Sequence, residues 1–351
     1  MDHTPLTDLR PVRGHFLDPA ALRMSGLERH TRQVRGDYKP PAINHLTGLR
    51  PTEISFGRAA FAMPASAWGA TAHGFYSGAT VALLVDAPLA LAIESVLPAG
   101  KVAPTSEISM NFIAPAFPGP GQLVARARVI DVGSRLGFSE AEVTDHRGRL
   151  VAHATSRCVV TDAPESGDTG QVQVDPEWSA DESPDPWEMP ATGATDVEIA
   201  TMSGVEFFRR VIDGSQDLTP LGYLLGTTPT AVDEGAITWT ARATPWWSSP
   251  APMLYGGALA AFAETAFNTS FWTVIQPTQA YATLDLKIQY VRPVFPDDGV
   301  LTAAGRVVHR GRSIAIATVE VTNAAGKTVL YGTGSAAILP DGAALMRFKP
   351  D

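Results

Sequence analysis

The sequence predicts an α+β fold made of two tandem copies of one unit, each a long central helix wrapped by an antiparallel sheet. Three observations carry this expectation. MSGLE at Met24 recurs as MSGVE at Met202, and the offset of 178 residues then holds without a gap to the end of the unit. Each copy contains one apolar stretch of helix length, FYSGATVALLVDAPLA in the first and MLYGGALAAFAETAFN in the second. Each such stretch is followed by runs that alternate apolar and polar residues, the signature of half-buried strands.

The repeat keeps its register over domain length, so it is a duplication rather than an array of short units. Gly36 meets Gly214, Trp68 meets Trp246, Gly78 meets Gly256, and Arg128-Val129 meets Arg306-Val307. With 351 residues, of which 45% are hydrophobic, the chain has enough apolar material for two cores. The boundaries read as an N-terminal tail (1–23), a first domain (24–160), a linker (161–200), a second domain (201–339) and a C-terminal tail (340–351).

Within each copy the order of elements follows from pattern. A short helix is expected near 20–35 and 198–213, then a strand near 53–63 and 231–241. A loop with Pro and Trp leads to the central helix, 78–97 and 256–275. Four strands follow. TLDLKIQYVRP is the clearest, with Leu284, Leu286, Ile288 and Tyr290 alternating with Asp285, Lys287 and Gln289. LTAAGRVVHRG and SIAIATVEVTN are joined at Arg310-Gly311-Arg312, a hairpin signal. Asn323 to Gly326 turns the chain into the last strand, and Gly133 and Asp145–Gly148 do the same in the first copy. The central helices are apolar on nearly every face, so the sheet should wrap them rather than leave one face to water. That is the hotdog arrangement.

Composition narrows the function. The net charge of −9 is local: residues 161–200 hold eleven acids and no Lys or Arg, and removing them leaves +2 for the rest. No basic stripe of the kind nucleic acid requires remains. The Pro, Gly, Ser and Thr content of that segment marks a linker, while Trp178 and Trp187 argue that parts of it lie on a folded surface. No apolar run reaches the roughly 18 residues that span a bilayer. The start, MDHTPLTDLRPVRGHF, has no continuous apolar segment, so a cytoplasmic protein without membrane partners is expected. The single cysteine, Cys158, excludes an internal disulfide and reads as a buried small apolar residue. His73, His153 and His309 have no partners at metal-ligand spacing and read as structural, so no metal or cofactor is implied.

YGGALAAFAETA, TLDLKIQYVRP, GRVVHRGRSIA and VEVTNAAGKTV fall in the order and spacing of a known family. Both copies resemble the PaaI-like acyl-CoA thioesterase branch of the hotdog superfamily, over about 24–160 and 202–339. The resemblance implies paired hotdogs with active sites at their interface, here supplied within one chain as a pseudo-dimer. It also implies an acyl-CoA or other acyl thioester as partner, and assembly of such units into a homo-oligomer. In the family, Asn-x-x-Gly-x-x-His-Gly-Gly leads into the central helix, a carboxylate follows nine residues after the His, and a Ser or Thr opens the next strand. The helix start polarises the thioester carbonyl and the carboxylate activates water or attacks it.

Mapped onto the second copy, Gly256 and Gly257 match the glycine pair and Glu264 the carboxylate. Thr283 matches the strand hydroxyl, Tyr255 stands for His and Ser249 for Asn. In the first copy Gly78, Asp86 and Thr105 match, Ser77 stands for His and Thr71 for Asn. Each site would pair the helix start of one copy with the carboxylate and threonine of the other. The ordinary reading of the acids is a solvated helix face. Helical geometry argues against it: Glu264 shares a stripe with Ala260, Phe267 and Phe271, and Asp86 with Ala82, Leu89 and Ile93. Pro88, two residues past Asp86, should disturb that helix. Trp68, Trp246 and Trp247 either line an acyl pocket or pack under the loop. Arg310 and Arg312 meet the phosphates of coenzyme A or form a solvated turn. With His and Asn replaced in both copies, a hotdog lyase, isomerase or cyclase, or a non-catalytic acyl-binding protein, stays open beside the thioesterase.

Overall fold

The computed structural model describes residues 5–9, 11–163, 184–195 and 202–340. Most of the acidic segment, Trp178 included, and the last residues of the C-terminal tail lie outside them. The first repeat runs α1 (Leu6–Leu9), α2 (Gly26–Arg35), α3 (Ala42–Thr47), β1 (Arg50–Ser55), β2 (Arg58–Pro64), α4 (Gly78–Glu94), β3 (Lys101–Val102), β4 (Thr105–Phe112), β5 (Gln122–Val132), β6 (Leu136–Thr144), β7 (Leu150–Val159) and β8 (Thr161–Asp162). The second runs α5 (Gly204–Ile212), α6 (Pro220–Leu225), β9 (Thr227–Asp233), β10 (Ala236–Arg242), α7 (Gly256–Trp272), β11 (Ala280–Tyr290), β12 (Val300–Arg310), β13 (Ile314–Thr322) and β14 (Thr328–Leu339). α4 and α7, β5 and β12, and β6 and β13 begin and end at the same 178-residue offset.

Twelve strands form one antiparallel sheet in the order β1-β2-β5-β6-β7-β4-β11-β14-β13-β12-β10-β9. The order is palindromic, and its centre is the β4–β11 seam. There Ser109 pairs with its own counterpart Lys287, flanked by Ile108 with Ile288 and Met110 with Leu286. A pseudo-twofold axis therefore passes between Ser109 and Lys287. α4 and α7 pack against each other and against the sheet of their own repeats. Their apolar residues are buried all round, so each helix is enclosed. The chain is two tandem hotdog domains, a double hotdog.

The structure differs from the sequence expectation in three places. The single strand expected before each central helix is a hairpin, because Gly57 (φ 72°) and Gly235 (φ 77°) take the left-handed conformation that reverses the chain. Each glycine N–H is then tied to the end of a central helix, Gly57 to the Ser95 hydroxyl and Gly235 to that of Thr273, both at 2.8 Å. The central helices end three residues early, since Leu97 bonds back to Glu94 and Ile275 to Trp272 in tighter turns. Pro88 lies inside α4 without ending it.

The repeats diverge beneath the C-terminal ends of their central helices. In the first, Glu94 accepts from Arg29 at 2.8 Å and meets His30 Nε2 at 2.7 Å. Burial alone would raise the Glu94 carboxyl, but His30 and Arg29 outweigh it and hold it at about 2. In the second repeat the same three positions are Phe207, Phe208 and Trp272, whose rings pack with centroids 4.8–5.4 Å apart.

The described part of the linker lies on both repeats, and the Ala194 N–H donates to the Leu218 carbonyl of the second at 2.9 Å. Asp185 accepts from Arg13 at 3.1 Å and contacts His45 Nδ1 at 3.0 Å, and the Trp68 indole donates to the Met189 carbonyl at 2.9 Å. Cys158 is fully buried, and burial pushes its thiol up to about 12. No helix among the described residues is long and apolar enough to cross a membrane.

Candidate active site

Both carboxylates singled out in the sequence lie on buried stretches of their helices, and each faces the start of the other repeat's helix. Asp86 approaches α7, and a Cβ on Gly256 would stand 2.7 Å from its Oδ2. Glu264 approaches α4, and a Cβ on Gly78 would stand 2.6 Å from its Oε1. Glycine lets each acid come close to the facing helix start, since a side chain there would meet the carboxylate, and at Gly78 the Phe112 ring as well. Beyond this shared plan the two sites are different.

Around Asp86 every polar atom is held. Oδ1 accepts from the Thr105 hydroxyl at 2.9 Å and Oδ2 from the Gly257 N–H at 2.8 Å. Tyr255 cannot cap its own helix with its side chain, and Asp86 does so from the other repeat. The Tyr255 ring is buried, with its hydroxyl donating to the Leu83 carbonyl at 2.9 Å and accepting from the Ala87 N–H at 3.0 Å. Those two backbone groups are one α-helical turn apart. The tyrosine thus bridges α4 between Leu83 and Ala87, beside the Leu84 carbonyl that Pro88, lacking an N–H, cannot bond. Tyr290 closes the remaining side by donating to the Gly256 carbonyl at 2.8 Å. Burial pushes Asp86 up to about 6, opposed by Thr105 and the Gly257 amide.

Around Glu264 the arrangement is open. The residue has no solvent exposure, Oε1 accepts from the Asn268 side chain at 3.1 Å, and Oε2 has no hydrogen-bond partner among the described residues. Burial pushes the carboxyl up to about 7, against Asn268, the Ala79 and Gly78 amides and the Ser77 hydroxyl. Ser77 caps α4 by accepting from the Ala79 N–H at 3.2 Å. Beside the acid lies a cavity of about 220 Å³ walled by Thr71, Ser77, Gly78, Glu264, Asn268 and Thr283. Phe208, Trp239 and Trp272 also line it, so the aromatic cluster of the second repeat gives this cavity apolar surface.

Some expected residues lie elsewhere. Ser249 is a turn residue whose hydroxyl donates to the Ala251 carbonyl and accepts from its N–H, both at 3.1 Å. Trp68 and Trp246 are buried in the core and do not line the cavity. Arg310 donates to the half-buried Gln279 side chain at 3.1 Å, and neither it nor Arg312 lines the cavity. Conversely, His73 is part of the cavity wall, its ring edge-on to Trp272 at 4.5 Å. Asn268 was not anticipated. Its signal was present: it sits one helical turn after Glu264 on the same stripe, and Ala90 stands at its place in the first repeat.

The tandem units, with helix starts and carboxylates crossed at their seam, place the chain in the hotdog class of folds. Residues 73–152 and 251–330 each match the thioesterase superfamily, one match in each repeat. An 80-residue stretch is 35% identical to a Deinococcus radiodurans protein described as "Putative esterase", covering 22% of this chain and 49% of that protein. The chain thus spans about half the length of the curated relative it matches. Among solved structures, the tesB protein of Mycobacterium avium subsp. paratuberculosis is similar with a TM-score of 0.52 at 11% identity, over 85% of this chain and 98% of that one. The acyl-CoA thioesterase II TesB2 of Mycobacterium marinum is similar with a TM-score of 0.50 at 12% identity, over 85% and 96%. These two likenesses show the fold.

Proposed function

We propose that the chain is an acyl-CoA thioesterase with one working site, formed by Glu264 and Thr283 of the second repeat and the α4 start of the first. The observation that carries this reading is the Glu264 carboxylate, fully buried, with one oxygen unpartnered beside a cavity and a helix start. A carboxyl raised to about 7 is poised to act as a base near neutral pH. The thioester carbonyl lies at the α4 amides, which stabilise the oxyanion as it forms. Glu264 takes a proton from water, and the resulting hydroxide attacks the carbonyl carbon. The tetrahedral intermediate collapses by breaking the C–S bond, and the thiolate takes the proton back from Glu264. One water is consumed, and a carboxylic acid and a free thiol are released.

On this reading Asp86 and Thr105 brace the fold instead of reacting. Ser77 and Thr71 stand beside the reacting atoms where the family carries His and Asn. Arg310 and Arg312, at the β12–β13 tip where Arg310 meets Gln279, take the coenzyme A phosphates. The substrate comes from the cytoplasmic acyl thioester pool. The test is thiol release from short, medium, long and aromatic acyl-CoAs by wild type and Glu264→Gln. Release by wild type, reduced at least ~100-fold in the variant, supports the assignment. Wild-type turnover in the variant overturns it. Product change without release points to a lyase, isomerase or cyclase, and saturable binding with neither to an acyl-binding protein.

A further inference from the structure

The internal twofold makes each site a control for the other. In the first repeat, the oxygen of Asp86 that does not cap α7 is fixed by Thr105 from the adjoining strand at 2.9 Å. In the second, the corresponding strand residue is Thr283, yet the bond that fixes a Glu264 oxygen comes from Asn268 on the same helix, at 3.1 Å. Glutamate is one methylene longer than aspartate, so its carboxylate projects further from its helix. Asn268 is nearly buried, at 9% exposure, lines the cavity, and replaces an alanine of the first repeat. An asparagine facing the interior of an otherwise apolar helix carries a desolvation penalty unless its amide is used.

We propose that Asn268 is a positioning residue for Glu264, holding the oxygen that faces α4, whereas Thr105 holds the Asp86 oxygen that does not cap α7. By donating to Oε1 it fixes the side-chain torsions so that Oε2 is left unpartnered for water. It also favours the ionised form of the acid, which the surrounding burial opposes. The other groups facing the acid are Ser77 and the amides of Gly78 and Ala79 on the α4 side, and Tyr281 on β11. His73, on the loop before α4, shares the cavity. The hydrogen bond to Oε1 at 3.1 Å is that of Asn268. The inference rests on Glu264 as the base, so its test needs a readout that does not depend on turnover.

Two variants serve. Asn268→Leu keeps the volume and removes the donor. Asn268→Asp keeps the shape, removes the donor and adds a charge, and it stands in if the leucine variant fails to fold. The Glu264 carboxyl band is followed by infrared spectroscopy against pH and identified by its loss in Glu264→Gln. The expected result is a midpoint moved to higher pH in both variants, further in Asn268→Asp. With a thioester substrate, kcat should fall roughly tenfold or more, its acidic limb should move the same way, and KM should stay within about twofold. An unmoved midpoint, or a rise in KM alone, makes Asn268 only a wall of the cavity and overturns the proposal. If wild type hydrolyses no thioester, the proposed function falls while the infrared titration still decides this assignment.

Discussion

The Gly257 N–H donates to Asp86 at 2.8 Å, so the carboxylate of one repeat caps the central helix of the other. A helix opening with Gly256 and Gly257 behind a tyrosine has no local cap, and the bond supplies one across the seam. Asp86→Ala removes both acceptors, so that at pH 5, below the raised titration range of the acid, the Gly257 N–H and the Thr105 hydroxyl lose their partner. The variant should be destabilised by about 1–2 kcal/mol while retaining most of its thioester turnover. Thermal unfolding and initial rates on the same preparation check this. A loss of turnover matching that of Glu264→Gln would make Asp86 a second catalytic acid.

Tyr255 should behave as a brace in the same way. Removing its hydroxyl in Tyr255→Phe leaves the Leu83 carbonyl and the Ala87 N–H without that partner inside the protein. A loss of about 1–3 kcal/mol follows from leaving buried polar groups unmet. Denaturant melts measure it, and kcat on the best acyl-CoA should change less than about threefold.

Gly78→Ala tests the close approach at the other seam. The added methyl would meet Glu264 Oε1 at 2.6 Å and the tip of the Phe112 ring. Both are ends of side chains, so they shift instead of preventing folding, and the acid moves away from the helix start. Activity should therefore fall by at least ~10-fold, from lost alignment at the reacting centre, with a smaller proportional loss of stability. Paired activity and unfolding measurements separate the two.

The pH dependence of stability should show opposing contributions. Burial raises Glu264 to about 7 and Asp86 to about 6, so the fold holds protons that the unfolded chain has released. Their stabilisation is present below the ordinary carboxylate range and is lost as pH rises through about 6 to 7. Glu94 runs the other way: held at about 2, it contributes above its ordinary 4.5 and loses that contribution as pH falls towards 2. Melting temperatures across pH 2–8 should therefore flatten above pH 5 in Glu264→Gln and below 4.5 in Glu94→Gln. At pH 8, Glu264→Gln should be more stable than wild type by on the order of 1–3 kcal/mol.

The fixed repeat offset made the double hotdog legible, because a duplication carries its own alignment and the glycine–acid spacing came with it. The greasy stripe around Glu264 foretold its burial, since an acid between Ala260 and Phe267 has nowhere polar to face. What pattern alone missed depends on three-dimensional neighbours. Tyr255 reads as a substitute for a family histidine, but its hydroxyl reaches across to mend the other helix near Pro88. Trp68 and Trp246 read equally as pocket or core, and only packing separates the two. Asn268 is inconspicuous in sequence because a helical asparagine is usually solvated.

The seam at Ser109 and Lys287 sets the arithmetic of substitution. In an assembly of two identical chains, any change at a site is made at both sites at once, so a tyrosine plugging one would plug the other. Here the halves are covalently joined and separately encoded, and one can harden into a strut while its twin keeps the chemistry. An active-site titration should accordingly count one reacting centre per polypeptide, half of what the symmetry of the backbone suggests.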